Sequence, residues 1–160
     1  MTGRARITGT GMCVPDRVVT NADLEKVMDT SDEWIRQRSG IVERRYVVPG
    51  ETPVTLAERA SREALRDAEL EPDELDCIVL ATLSAEAEFP GTSFFLQAAL
   101  GLEDTPCFDI RAQCTGFLYS LSVADSFVRS GRYGRVLVVG CEVHSTGLDH
   151  STRGRDVTVL

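Results

Sequence analysis

Cys107-Phe108-Asp109-Ile110-Arg111-Ala112-Gln113-Cys114-Thr115-Gly116-Phe117 joins two kinds of chain. Cys107 to Ile110 has the length and apolar content of a strand. From about Cys114 to Arg129 the residues read as a helix, with apolar Phe117, Leu118, Leu121, Ala124 and Val128 as its buried stripe and Ser130-Gly131 as its stop. On either side lie unbroken apolar runs of strand length, Cys77-Ile78-Val79-Leu80-Ala81-Thr82-Leu83 before and Val136-Leu137-Val138-Val139-Gly140 after. Such runs suit strands buried on both faces, as in a parallel sheet. Thr92 to Leu100, closed by Gly101, supplies a helix between the first two strands. Strands alternating with helices in this way build βαβ units, so the fold class is α/β with a mostly parallel sheet flanked by helices.

The rest of the chain extends the pattern. Arg6-Ile7-Thr8-Gly9-Thr10-Gly11 reads as a strand and a glycine turn. Thr20 caps a helix running to about Met28, and Ser31 caps another that stops at Gly40. Tyr46 to Pro53 reads as loop, and Thr55-Leu56-Ala57-Glu58 as the capping box of a longer helix. Val157-Thr158-Val159-Leu160 begins a further strand. No internal repeat, low-complexity tract or linker interrupts the sequence.

Composition excludes several classes. The 160 residues are 42% hydrophobic and 26% charged, as in an ordinary globular protein. No apolar run approaches the roughly 18 residues of a membrane span, and the N-terminus lacks the apolar core of a secretion signal. A cytoplasmic location follows, with no membrane partner. The net charge of −8 argues against nucleic acid, whose phosphates need surplus Lys and Arg. Arg36, Arg38, Arg44 and Arg45 nevertheless cluster, either as solvated surface or as a local site for a phosphate-bearing ligand. The five cysteines contain no C-x-x-C pair and no His at metal-ligand spacing, so no metal site and no disulfide framework is expected.

Cys77 and Cys141 fit the role of small buried hydrophobes. Cys114 stands apart, because a strand-to-helix turn aims its thiol out of the sheet and unpaired helix N–H groups surround it with positive potential. Helix N-termini lower cysteine pKa values and so favour a nucleophilic thiolate. Gly116 leaves room for a substrate carbonyl. On these grounds alone Cys114 is either a nucleophile or a structural thiol.

The segment around Cys114 resembles the nucleophile segment of β-ketoacyl-acyl-carrier-protein synthase III, in which Ala-x-Cys-x-Gly-Phe follows a Phe-Asp strand. Thr20-Asn21-Ala22-Asp23-Leu24-Glu25, Asp29-Thr30-Ser31-Asp32-Glu33-Trp34-Ile35, Arg38-Ser39-Gly40-Ile41, Phe89-Pro90, Leu121-Ser122-Val123-Ala124-Asp125 and Thr152-Arg153-Gly154 match in order and spacing. The resemblance implies a thiolase-like fold, with residues 1–160 as its N-terminal half. It implies that Cys114 accepts an acyl group from acyl-coenzyme A, with its own N–H in an oxyanion hole. Condensation with malonyl-acyl-carrier-protein would then start fatty-acid synthesis. Coenzyme A is a substrate here, and no cofactor is implied. Trp34 and Arg153 would sandwich the adenine, Arg38 would meet the nucleotide phosphates, and Thr30 would sit nearby. Phe89 would cross a homodimer interface to close the partner's acyl pocket, which His144 would line. That family's catalytic His and Asn lie in its second half, so neither His144 nor His150 is the expected base. Arg111 and Gln113 replace small residues expected before the nucleophile, which leaves acyl specificity open. A condensing enzyme of hydrocarbon or polyketide biosynthesis and a non-catalytic half-domain that binds coenzyme A or dimerises are the alternative readings. Half of that fold made alone would bare a broad apolar face and associate.

Overall fold

A computed structural model of the chain describes residues 4–159. In chain order the elements are β1 (Arg17–Thr20), α1 (Asn21–Glu25), α2 (Asp32–Ser39), β2 (Glu43–Tyr46), α3 (Pro53–Asp67), β3 (Cys77–Ala81), α4 (Thr92–Ala99), β4 (Cys107–Ile110), α5 (Gly116–Ser130), β5 (Val136–Gly140) and α6 (Arg155–Thr158). They fall into two compact units. The first holds the residues up to Cys13 together with Thr52–Glu142. The second holds Val14–Glu51 and the residues from Val143 onward.

The first unit is built on a three-stranded sheet in the order β4-β3-β5. β3 runs parallel to both neighbours, with Ile78 opposite Cys107 and Leu137. All of β3 is buried, which is why its sequence is apolar without alternation. Ile78 and Leu80 pack with Ala57 and Leu65 of α3, Leu96 of α4, and Leu137 and Val139 of β5. Full burial of a side chain such as Leu96 stabilises the unit by roughly 1.5–3 kcal/mol.

The other face of β3 meets α5, and here the expected helix face is corrected. The buried residues of α5 are Gly116, Ser120 and Ala124, whereas Phe117 and Leu118 are 45% and 64% exposed. Small residues one turn apart let the helix backbone settle onto the strand: a Cβ at Gly116 would lie 3.0 Å from the Ala81 Cβ. The large apolar residues are thereby turned outward.

Two further expectations give way in this unit. No ladder forms at Arg6–Gly11 among the described residues. That segment lies along α3 instead, where the Thr10 N–H donates to Asp67 at 2.8 Å and the Met12 N–H to Glu63 at 2.7 Å. Gly9 and Gly11 permit the contact, since a Cβ there would come within 2.3 Å of the Ala64 oxygen and 2.1 Å of the Ala60 oxygen. Lastly, α3 starts earlier than its sequence suggests. Thr52 is the N-cap, exchanging hydrogen bonds with Thr55, and Pro53 occupies the first turn, where its missing N–H costs nothing.

In the second unit β1 and β2 pair antiparallel, Arg17 opposite Tyr46 and Thr20 opposite Glu43. Neither strand is evident from the sequence, and Tyr46, read as loop, ends β2. Thr20 caps α1 through a capping box with Asp23, but the helix ends at Glu25 rather than near Met28. Ser31 caps α2, which stops at Gly40 with φ 74°, as expected. Val19, Leu24, Met28, Ile35, Tyr46 and Val159 form the core. The expected strand at Val157–Leu160 is a helix, α6, as far as it is described; Leu160 lies outside the described residues. β-branched residues favour strands, but burial of Val159 and a 2.6 Å bond from the Thr158 hydroxyl to the Asp149 carbonyl outweigh that preference.

Candidate functional site

Cys114 belongs to the first unit. β4 ends at Ile110, a single 3₁₀ turn spans Gln113–Thr115, and α5 begins at Gly116. The thiol therefore stands one short turn ahead of the α-helix. Gln113 has φ 48°, in the left-handed region that non-glycine residues enter only at a cost of order 1–3 kcal/mol. The Thr115 hydroxyl donates to the Ala112 carbonyl at 2.7 Å and braces the bend. Strained backbone of this kind persists where surrounding structure over-determines it, and here it turns an exposed thiol out of the sheet edge.

The remaining cysteines contrast with it. Burial pushes the thiols of Cys77, Cys107 and Cys141 up to about 11. Cys77 lies wholly inside, and Cys13 is half-buried. Arg111, unexpected beside a nucleophile, points to Glu88 at 3.4 Å, an exposed pair of the weak kind. Phe89 follows Glu88 and is 92% exposed.

Trp34 belongs to the second unit, on α2, where its N–H donates to the Ser31 cap at 3.1 Å. The guanidinium carbon of Arg38, one helical turn on, lies 3.9 Å from the indole centroid. A second guanidinium lies 4.3 Å from that centroid, and it belongs to Arg155. Arg153, the residue expected there, is exposed in the 3₁₀ turn Thr152–Gly154. The chain turns from that 3₁₀ turn into α6, and this carries the later arginine to the ring. Arg155 is held by donation to the Asp29 carbonyl at 3.1 Å and by Asp156 at 3.2 Å. Thr30 has a buried hydroxyl without a hydrogen-bond partner among the described residues. Beside it the Asp29 N–H donates to the Thr152 hydroxyl at 3.0 Å.

The arginine cluster divides by use. Arg36 pairs with Asp32 at 2.7 Å, Arg44 donates to the Val159 carbonyl at 2.9 Å, and Arg45 reaches the carbonyls of Pro15 and Asp16. Arg38 and Arg155 remain beside the indole. His144 is exposed, and its carbonyl accepts the Gly147 N–H at 3.0 Å. His150 shares a 3.2 Å hydrogen bond with the Tyr46 hydroxyl. No group of three or more His, Cys, Asp or Glu able to hold a metal ion occurs among the described residues. No described helix is long and apolar enough to cross a membrane.

With this geometry in hand the chain can be compared with known proteins. A family model described as 3-oxoacyl-[acyl-carrier-protein (ACP)] synthase III matches residues 108–160, the stretch from β4 onward. β-Ketoacyl-[acyl-carrier-protein] synthase III of Cereibacter sphaeroides is 47% identical over 153 residues, 96% of this chain and 47% of that protein. The crystal structure of 3-oxoacyl-[acyl-carrier-protein] synthase III from Aquifex aeolicus is 48% identical, with a TM-score of 0.94 over 99% of this chain and 50% of that one. The priming β-ketosynthase of the R1128 polyketide biosynthetic pathway is 33% identical, with a TM-score of 0.90 over 100% of this chain and 48% of its own. The chain spans about half the length of the relatives it matches. Over the residues it spans, the chain is similar in sequence to β-ketoacyl-[acyl-carrier-protein] synthase III proteins and has the thiolase-like fold of their structures.

Proposed function

We propose that the protein loads an acyl group from acyl-coenzyme A onto Cys114 and condenses it with malonyl-acyl-carrier-protein to begin fatty-acid synthesis. The observation that carries this reading is the exposed Cys114 on its bend beside the left-handed Gln113. In the first step the Cys114 sulfur attacks the thioester carbonyl carbon. The carbon–sulfur bond to coenzyme A breaks, coenzyme A leaves as its thiol, and a Cys114 thioester remains. The Cys114 N–H, in the turn before α5, would stabilise the tetrahedral oxyanion. In the second step loss of CO2 from the malonyl group yields a carbanion, which attacks the Cys114 thioester and frees the thiol. The His and Asn that serve this step in the family lie in the half that this chain does not span.

Trp34 and the exposed Arg153 would sandwich the adenine, for which the Arg155 guanidinium, 4.3 Å from the indole centroid, would have to leave the ring face. Arg38 would meet the phosphates, with Thr30, whose buried hydroxyl lacks a hydrogen-bond partner among the described residues, nearby. Phe89, 92% exposed, suits a residue whose contacts lie on a homodimer partner, with His144 along the acyl pocket. Five unpaired cysteines support a cytoplasmic location. Similarity to a priming β-ketosynthase of a polyketide pathway favours a second reading, in which the same acyl transfer onto Cys114 serves polyketide biosynthesis.

The test is intact-mass spectrometry of the protein as its gene encodes it, with acetyl-coenzyme A and with longer acyl donors. One acyl adduct, lost in Cys114→Ser, is the expected result. No adduct with any donor would refute both and favour a non-catalytic half-domain.

A further inference from the structure

We infer that Arg155 is a specificity-determining residue that competes with the nucleotide for Trp34 and weakens binding of nucleotide-bearing acyl donors, an inference that rests on the nucleotide reading of Trp34. Its guanidinium carbon lies 4.3 Å from the indole centroid, within the range of a cation–aromatic contact. A second flat group, such as an adenine, cannot take the same place. Arg38 also meets the indole, at 3.9 Å, but it sits one turn along α2 and turns to the phosphates in that reading. Arg155 comes from α6, far along the chain, and its contact with the ring is purely tertiary.

Several bonds hold the contact. Arg155 donates to the Asp29 carbonyl at 3.1 Å, just ahead of α2, and only 30% of its side chain is exposed. Asp156 adds a 3.2 Å pair, but that carboxylate is 78% exposed and holds weakly. The backbone beneath Arg155 is anchored separately. The Asp29 N–H donates to the Thr152 hydroxyl at 3.0 Å, and the Thr158 hydroxyl donates to the Asp149 carbonyl at 2.6 Å. Val159 is buried in the core against which Trp34 packs. The Arg155 side chain can therefore leave the indole while α6 stays in place. A ligand's affinity falls in proportion to the fraction of molecules whose site is free. One cation–aromatic contact holds that fraction near about one in five. The cost falls on donors that carry a nucleotide, because a donor that ends at pantetheine never meets the ring.

The experiment uses the protein as its gene encodes it. Calorimetry gives Kd for coenzyme A, and intact mass follows acylation of Cys114 by acetyl-coenzyme A and by acetyl-pantetheine. Arg155→Ala should tighten coenzyme A about fivefold. It should speed acylation at low acetyl-coenzyme A by the same factor and leave acetyl-pantetheine unchanged. Arg155→Lys keeps a charge beside an anionic ligand but loses the flat group, and it should tighten coenzyme A by a smaller factor. Equal gains with acetyl-pantetheine, or weaker coenzyme A binding in Arg155→Ala, would make Arg155 a structural or ligand-holding residue and overturn the inference. Should Arg155→Ala not fold, Arg155→Lys decides the matter by the same Kd. A protein that binds no coenzyme A, as wild type or as either variant, overturns the nucleotide reading and this inference together. A wild-type protein that binds coenzyme A as tightly as its variants overturns this inference alone. Should neither donor acylate Cys114 while Arg155→Ala still tightens coenzyme A, the acyl-transfer reading falls and this inference stands.

Discussion

Burial lifts the thiols of Cys77, Cys107 and Cys141 from an ordinary 9.0 to about 11, because a thiolate in apolar surroundings loses its hydration. Cys114 is exposed. Iodoacetamide at mildly alkaline pH should therefore modify Cys114 ahead of those three, as peptide mass mapping would reveal; labelling of Cys77 first would contradict the fold. The same shifts bear on stability. A raised pKa in the folded state favours the protonated thiol, so the stabilisation is whole below pH 9 and lost as pH rises through 11. Urea midpoints should accordingly fall between pH 9 and 11, and less steeply in Cys141→Ala. At the other residue cluster, Arg153→Ala should weaken coenzyme A binding about fivefold by calorimetry, the scale of one cation–aromatic contact. Sequence alone could single out Cys114, since a cysteine between strand and helix is a local pattern. It could not show that Arg155 lies against Trp34, because that contact depends on where a 3₁₀ turn gives way to α6.

At the scale of elements, the strands that could be read were the apolar ones. β3 and β5 carry their burial in their composition, whereas β4 pairs as expected although none of its residues is buried. β1 and β2 do not: Arg17-Val18-Val19-Thr20 and Glu43-Arg44-Arg45-Tyr46 are half charged, and two helices separate them, so no turn announces the pairing. The α5 face was misread for a related reason. Hydrophobicity picks out Phe117 and Leu118 beside Ala124, but a helix lying tightly on a sheet needs small residues, so only Ala124 of these is buried and Gly116 and Ser120 complete the face. Ala124→Leu should thus destabilise the protein by about 1–3 kcal/mol through overpacking, measured by urea denaturation; an unchanged midpoint would contradict this packing. Gly11→Ala should cost a similar ~1–3 kcal/mol, because its new methyl meets the Ala60 carbonyl, which cannot yield without shifting α3.

At the scale of the whole molecule, each compact unit is assembled from segments far apart in the chain. Several large apolar side chains remain outward, among them Ile7, Met12, Phe89, Leu118 and Val157, each more than 60% exposed. Surfaces of that kind signal association. These 160 residues produced alone should form dimers or larger species by light scattering, and a stable monomer would contradict the expectation. By itself the sequence determined the α/β class, the parallel strands, most helix caps and the candidacy of Cys114, because these rest on local periodicity, capping chemistry and short motifs. Only the tertiary structure decided the β1–β2 pairing, the small-residue face of α5, the helical form of α6 and the stacking of Arg155 on Trp34. Each of those joins residues distant in the chain, and packing energies between distant residues override local preference.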